Sequence, residues 1–407
     1  MKSFISHLNE SMLEKLLTMK VRKSIKNAGG KIYQIGGVVR DELLGKVSKD
    51  LDLIVVGVEL SDLEKILKPH GKVNMVGKSF GILKFVPTGS TEEEDVDISV
   101  PRVDSKSTGA GHKDFEVQLG KGITLQQDQL RRDFWINQLA KDVDTGEIID
   151  TDGKGMKDIK NKEIRMISPT SFEDDPLRML RAIQFAARFE FKIEKNTFKE
   201  MKKQAHTISS VSSDRFNEEF KKLFTKSKKP SIGVKLLFES GLIKHLFPKA
   251  SIKDINLKAL DKLETFDGFN KNYGAFIGMV LMSYKQDAGK IAKAGMKLSN
   301  IDSKAVQSVT SYKDMDLVKL VGWAKDNDIK SVDAYLTAIG KPTVSSKLKG
   351  VKYLSIKELP INGKDVSQLG FKGKSIGDAL QSALDFSIKT NKTSKNDLLK
   401  YINSRNK

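Results

Sequence analysis

The stretch from Lys31 to Val56 limits the possible folds of this chain more than any other. It reads as strand, glycine turn, short helix, turn and strand in close succession. Lys31–Ile35 is rich in β-branched and aromatic residues, which suit a pleated strand. Gly36-Gly37 permits a tight turn with no side chain in the way. Val38–Leu44 has helical spacing, and Gly45 stops it. A second strand, Leu51–Val56, carries Asp50 at its mouth and Asp52 inside it.

Strand geometry places residues i and i+2 on one face, about 7 Å apart along the chain. Asp50 and Asp52 therefore point the same way. Beside them a glycine turn opens a helix, whose unpaired N–H groups suit a phosphate. Two carboxylates facing a phosphate cradle match the needs of metal-assisted phosphoryl transfer, with Mg²⁺ held by Asp50 and Asp52. A paired aspartate on a strand is also what a solvated sheet edge looks like, and Gly-Gly is common. The spacing alone leaves both open.

The chain has 407 residues, enough for two to four domains. It has no cysteine, which removes disulfides and thiolate metal sites and fits a reducing, cytoplasmic setting. No long apolar run is present, so neither a secretory signal nor a membrane span is expected. Lys and Arg number 71 against 52 Asp and Glu, a net charge of +19. A surplus of that size favours a polyanionic partner.

In chain order, Leu13, Leu16, Leu17 and Ile25 can form one helical stripe. Ser61-Asp62 reads as the cap of a helix running to Lys68. Strands are expected at Lys72–Val76, Ile82–Val86 and Val96–Val100. In the last of these, Asp97 should face the sheet surface, as a third carboxylate or as an ordinary edge residue. Pro101–His112 holds two glycines among small polar residues and reads as a loop. Leu130, Phe134 and Asn137 fall at helical spacing behind Arg131, Arg132 and Asp133, and Arg suits phosphate oxygens. Glu147–Asp150 reads as a last strand.

Farther on, Asp174 and Asp175 precede Pro176, a good start for a helix. Arg178 and Arg181 share a face with Asp175. Such an Asp–Arg set is either an exposed ion pair or a reader of base edges, with the carboxylate accepting from an exocyclic amine and the guanidinium donating to a ring acceptor. Lys221, Lys222, Lys226, Lys228 and Lys229 form a basic run that is either a phosphate contact or a solvated face.

Three ordered motifs carry a resemblance: Gly36-Gly37-Val-Val-Arg40-Asp41 with Asp50 and Asp52; Arg131-Arg132-Asp133-Phe134-Trp135-Ile136-Asn137; and Glu173-Asp174-Asp175-Pro176-Leu177-Arg178 with Arg181. Together they resemble the class II tRNA nucleotidyltransferase (CCA-adding enzyme) and bacterial poly(A) polymerase family. The resemblance implies an α+β chain: a small nucleotidyltransferase-fold head with a mixed sheet, followed by an all-helical neck, body and tail. It implies catalytic carboxylates at Asp50, Asp52 and Asp97, the first two binding Mg²⁺. It implies nucleotide contacts at Gly36, Gly37, Arg40, Arg132, Asp133, Asn137 and Arg181, with base recognition by Asp175 and Arg178. The Pro101–His112 loop is similar to one that helps choose between CTP and ATP. Trp135, Gln138 and Gln184 depart from the family pattern, and Gln184 replaces a usual Arg.

The expected domains are an extension at 1–27, a catalytic head at 28–150, a neck at 151–215, a helical body at 216–300 and an RNA-binding tail at 301–407. One branch of the family carries a phosphohydrolase module in the C-terminal region. The only histidines here are His7, His70, His112, His206 and His245, too few there to build that module's metal site. The implied activity is addition of CCA to the 3′ end of tRNA from CTP and ATP. Alternatives are poly(A) or partial-triplet addition, and a noncatalytic RNA-binding protein, which intact Asp50 and Asp52 argue against. Oligomeric state is not legible.

Overall fold

The computed structural model describes residues 11–48, 51–76, 81–91, 95–104, 117–263 and 272–405. Asp50, His112 and residues 105–111 of the expected nucleotide-choosing loop lie outside the described residues. The chain divides into two compact units, Met1–Val211 and Ser212–Lys407.

The first unit begins with helical residues 11–16 and α1 (Met19–Asn27), separated at Thr18 by an extended ψ of 156°. The expected apolar stripe is therefore split over two helical segments. Leu13, Leu16, Leu17, Val21 and Ile25 are all buried and share a core with Ile32, Leu53, Val55 and Leu63. Burying these side chains out of water, at about 25 cal/mol per Å² of apolar surface, is what docks the segment.

Seven strands form one mixed sheet in the order β3-β4-β5-β2-β1-β8-β9. They are β1 (Lys31–Ile35), β2 (Asp52–Val56), β3 (Gly71–Val76), β4 (Ile82–Pro87), β5 (Val96–Ser99), β8 (Ala140–Asp142) and β9 (Ile148–Ile149). β6 (Arg102–Asp104) and β7 (Val117–Leu119) form a separate antiparallel pair. In the main sheet β2 pairs parallel with β5, while its other neighbour β1 and all remaining pairs run antiparallel. The parallel pair is possible because α3 (Leu60–Leu67), β3 and β4 return the chain to the same end. Alternation along β5 buries Val96 and Ile98 and leaves Asp97 and Ser99 half-buried on the other face.

α2 (Gly37–Leu43) follows the glycine turn, and α4 (Leu125–Leu130) is opened by a Thr124–Gln127 capping box. The helical spacing read through Asn137 does not produce one helix. α4 ends at Arg131; Phe134 bridges to Met166, Trp135–Asn137 form a 3₁₀ turn, and β8 starts at Ala140. The chain turns here instead of continuing as a helix, and Phe134, Ile136 and Leu139 are all fully buried around the 3₁₀ turn.

Beyond β9 come α5 (Lys154–Asn161), β10 (Glu163–Ile164), α6 (Ser171–Asp174), α7 (Leu177–Phe189), β11 (Lys192–Ile193) and α8 (Lys195–Gln204). β10 and β11 are a short parallel pair. Pro176 stands at the N-cap of α7, and Asp175 Oδ1 accepts the Leu177 amide at 3.1 Å, as the sequence predicts for a capping carboxylate.

The second unit is helical among its described residues. α9 (Ser213–Thr225) and α10 (Pro230–Glu239) lead to α11 (Leu242–Leu246), with Gly241 breaking the chain at φ 82° and Pro248 beyond. Phe220, Phe224, Tyr273 and Phe276 stack at its centre, the Phe224–Phe276 rings 4.6 Å apart. α12 (Leu257–Leu260) precedes α13 (Tyr273–Val280), which lies against α15 (Asn300–Ser311) beyond α14 (Ala288–Met296). A Cβ on Gly274 would sit 2.4 Å from that of Ala305, so glycine sets how closely those two helices approach. A C-terminal core gathers Leu359, Val366, Ala383, Leu384, Leu398 and Ile402. No helix among the described residues is long and apolar enough to cross a membrane.

Candidate active site

The parallel pairing of β2 and β5 makes Asp52 and Asp97 register partners. Across β4, Asp97 is also opposite Lys84. A row Lys84–Asp97–Asp52 therefore crosses the sheet on one face, because paired residues in register share a face. Lys84 also hydrogen-bonds Asp95. Asp52 and Asp97 line one cleft with Ile35, Ser99, Arg102, Arg131 and Arg132. Ser99 Oγ donates to the Leu53 carbonyl at 3.1 Å, tying the two strands together beside the aspartates.

Two half-buried carboxylates facing two guanidiniums can receive a hard cation together with an anionic ligand. Oxygen donors suit Mg²⁺, which is held by one or two carboxylates plus substrate phosphates. Asp52 and Asp97 can supply carboxylate oxygens of that kind.

The glycine turn borders this cleft. Gly36 has φ 67°, a conformation that favours glycine. A Cβ there would stand 3.1 Å from Arg132 Nη1, so the missing side chain also makes room for that guanidinium.

Four of the expected nucleotide contacts lie elsewhere. Arg40 is 4% exposed. Its Nε and Nη2 donate to Asp41 Oδ1 at 2.8 and 2.7 Å, and its Nη1 donates to Asn137 Oδ1. Asn137 Nδ2 donates to Asp133 Oδ1 at 3.0 Å, and Arg181 donates from Nε to Asp133 Oδ2 at 2.8 Å. Arg188 Nη2 reaches Asp41 Oδ2 at 3.1 Å. The result is a string of alternating charge, Arg188–Asp41–Arg40–Asn137–Asp133–Arg181, joining α2 to α7. Phe185 and Phe189 stack at 5.8 Å beside it, and Arg40 lies over both rings. Arg40, Asp133 and Asn137, expected to touch nucleotide, are thus buried with their polar groups directed at one another. Arg181, a third exposed, has one face on Asp133 and another on Phe185.

Burial by itself would raise the Asp133 carboxyl. The Arg181 charge, the hydrogen bonds from Asn137 and Arg181, and the Arg178 charge outweigh it and hold the group below the usual carboxylate range. Burial pushes Arg40 below its ordinary value against the pull of Asp41, and the like charge of Arg188 pushes the same way.

Asp175 and Arg178, the expected base readers, sit half-buried at the start of α7. Arg178 Nη1 donates to Ser171 Oγ at 2.9 Å and Nη2 to the Arg131 carbonyl at 2.9 Å. Nη1 also reaches the Ser171 carbonyl at 3.4 Å, so the guanidinium is oriented by Ser171 and the Arg131 carbonyl, and Nη2 carries a second hydrogen beyond the one given to that carbonyl. Asp41, Asp128, Phe185, Phe189 and Arg188 lie within or beside the motifs and were given no role from sequence. Asp128 had a signal: it lies three and four residues before Arg131 and Arg132, the spacing of helical ion pairs.

Residues 32–165 match the poly(A) polymerase head domain, and residues 190–253 match a segment described as a probable RNA- and SrmB-binding site of polymerase A. The multifunctional CCA protein of Xanthomonas campestris pv. campestris strain B100 is 34% identical over 225 residues, 54% of this chain and 51% of that one. The protein of the same name from Nitrosomonas europaea is 40% identical over 178 residues, 44% of this chain and 39% of its own. The chain thus spans about half the length of the first of these relatives or less. Among solved structures, the Bacillus stearothermophilus CCA-adding enzyme in complex with CTP has a TM-score of 0.70 at 22% identity, covering 97% of this chain and 98% of that one. The Thermotoga maritima CCA-adding enzyme complexed with tRNA has a TM-score of 0.67 at 22% identity and the same coverages. That likeness extends the shared fold over nearly the whole chain, while the family matches fall on residues 32–165 and 190–253. With the glycine turn, the strand aspartates and the arginine motif all inside the matched span, residues 32–165 of this chain belong to the poly(A) polymerase head-domain family.

Proposed function

We propose that this chain adds CCA to the 3′ end of tRNA, taking CTP and ATP and releasing pyrophosphate. The observation that carries the reading is the Asp52–Asp97 register pair, set in one cleft with Arg131 and Arg132. The relatives named CCA proteins, and solved enzymes described with CTP and with tRNA, support it.

In this reading the terminal ribose 3′ hydroxyl attacks the α-phosphorus and gives up its proton to water. A new O3′–P bond forms, the bond from that phosphorus to the bridging oxygen breaks, and pyrophosphate departs with its electron pair. Asp50 and Asp52 would hold Mg²⁺, with Asp97 beside Asp52 as the third carboxylate of the cleft. The bound ion supplies charge neutralisation for the phosphates. Arg131 and Arg132 align the triphosphate against the carboxylates, Gly36 leaves the space, and alignment and electrostatics supply most of the rate. Asp175 accepts from the exocyclic amine of cytosine or adenine while Arg178 donates to the ring acceptor. Both bases present that pair of groups, so the protein can serve as the template. Arg40, Asp133 and Asn137 act from behind, fixing Arg181 and the glycine-turn helix. The basic surplus of the chain serves the RNA backbone. The head is 28–150, the neck 151–215, and the body and tail follow.

A second reading is poly(A) addition, favoured by the head-domain match itself. Supplying tRNA that lacks its terminal triplet with CTP and ATP, separately and together, and sequencing the products divides the two. Addition that stops after C-C-A supports the first. Unlimited A on many RNAs supports the second, and no incorporation with any nucleotide returns the chain to a noncatalytic RNA-binding role.

A further inference from the structure

Asp128 has no role in the reading above, yet it is the most committed carboxylate near the cleft. It is 1% exposed, on α4. A buried carboxylate must be paired and hydrogen-bonded to stay charged. Arg131 donates to Oδ1 from Nε at 3.0 Å and from Nη2 at 2.7 Å. Arg132 donates to Oδ2 from Nε at 3.2 Å and from Nη2 at 2.8 Å. The Arg102 amide adds a contact to Oδ1 at 3.3 Å. One carboxylate thus grips the same edge of two successive guanidiniums, one on each oxygen.

That grip fixes where the other edges go. Arg132 Nη1 lies over Gly36 at the glycine turn. Both arginines and Arg102 line the cleft that contains Asp52 and Asp97. The Arg131 carbonyl receives Arg178 Nη2, so the same corner also orients the expected base reader. Without an anion between them, two adjacent guanidiniums would repel and turn to water. With one, a net single positive charge stays aimed at the phosphate position.

We infer that Asp128 is a positioning residue for nucleotide binding, holding Arg131 and Arg132 in the one arrangement that faces the paired aspartates. The inference rests on the functional reading above. Asp128→Asn keeps the shape but removes the charge that accepts both forks, whereas Asp128→Glu keeps the charge one methylene farther out.

The test uses the full chain, with CTP and ATP titrated in the presence of Mg²⁺ and incorporation into truncated tRNA followed in parallel. Asp128→Asn is expected to raise KM for both nucleotides by about tenfold, the scale of one hydrogen bond to a charged group, with tRNA affinity unchanged. Asp128→Glu should recover part of that loss, which also covers the case of an Asn variant that does not fold. In an Arg131→Ala/Arg132→Ala background, adding Asp128→Asn should raise the melting temperature, by relieving an unpaired buried charge, and cost no further nucleotide affinity. An equal loss in both backgrounds, or a variant that melts lower with unchanged KM, overturns the inference. A wild-type chain that binds neither nucleotide overturns the functional reading, and the inference with it.

Discussion

Asp52 on β2 and Asp97 on β5 are register partners across the parallel pair of the head sheet. Two carboxylates at neighbouring positions on one face repel unless a cation lies between or beside them. Lys84, opposite Asp97 on the other side, supplies one such charge. In the proposed reaction a divalent ion supplies the rest. Asp52→Ala and Asp97→Ala should each lower kcat by roughly a thousandfold, the scale of losing a centre of charge stabilisation. RNA affinity should hold, since backbone binding depends on the basic surplus and not on these acids. Single-turnover incorporation paired with a filter-binding measurement reads both. Full activity in the Asp52 variant would remove the metal assignment.

The string from Arg188 to Arg181 is a structural tie between α2 and α7. Its central pair, Arg40 and Asp41, has side chains 5% and 6% exposed at 2.7 Å. Removing one member of a buried pair leaves an uncompensated charge, at a typical cost of about 3–5 kcal/mol. Asp41→Ala should therefore lower the urea midpoint sharply, and the Asp41→Ala/Arg40→Met double variant should recover much of the loss. If the single variant unfolds at the wild-type midpoint, the pair is not a tie.

How much of this was legible in the sequence depends on whether a residue acts locally or across the fold. Gly36-Gly37, β1, β2 and the Pro176 helix start follow from spacing and turn chemistry, and the structure shows each near its expected limits. Asp97 was reachable because strand alternation places it on the right face, although only the sheet order shows that β5 neighbours β2. Arg40 was read as a phosphate contact because its motif position resembles one. Nothing local reveals that Asn137 and two phenylalanines enclose it, since those partners come from a 3₁₀ turn and α7. The spacing through Asn137 mimicked a helix because Leu130, Phe134 and Asn137 recur at intervals of four and three, although Leu130 is 40% exposed and only Phe134 and Asn137 are buried.

Acid should weaken the first unit through Asp128 and Asp133. For Asp128, burial raises the carboxyl, but Arg132 and Arg131 outweigh it and hold the group low, as happens at Asp133. A carboxyl with a depressed folded pKa stabilises fully above its unfolded value, about 3.9, and that stability is lost as pH falls through the folded value. Asp158 has the opposite sign: burial raises it despite Arg165, so its contribution declines as pH rises through its folded value. Urea midpoints measured from about pH 6 down to about pH 2 should fall in the wild type, chiefly below about pH 4. The decline should be shallower in Asp133→Asn, which starts lower because Arg181 has lost its partner. An unchanged slope in that variant would show that Asp133 ionises in the fold as it does in the open chain.

Gln184 stands where the resembled family usually has Arg. It is 2% exposed, and its Nε2 has no hydrogen-bond partner among the described residues. It lies three residues after Arg181 and four before Arg188, on the same helical face as both. An unsatisfied buried donor costs about 1–3 kcal/mol. Replacing it with Met, of similar length and without the amide, should raise the melting temperature and leave KM for CTP and ATP unchanged. Gln184→Arg places a further guanidinium between two others beside the string. It should lower the melting temperature of the free chain, because the added charge repels Arg181 and Arg188, and CTP should restore no more of it than in the wild type. Differential scanning fluorimetry with and without CTP separates these outcomes. A Met variant that loses nucleotide affinity would show instead that the amide reaches the substrate.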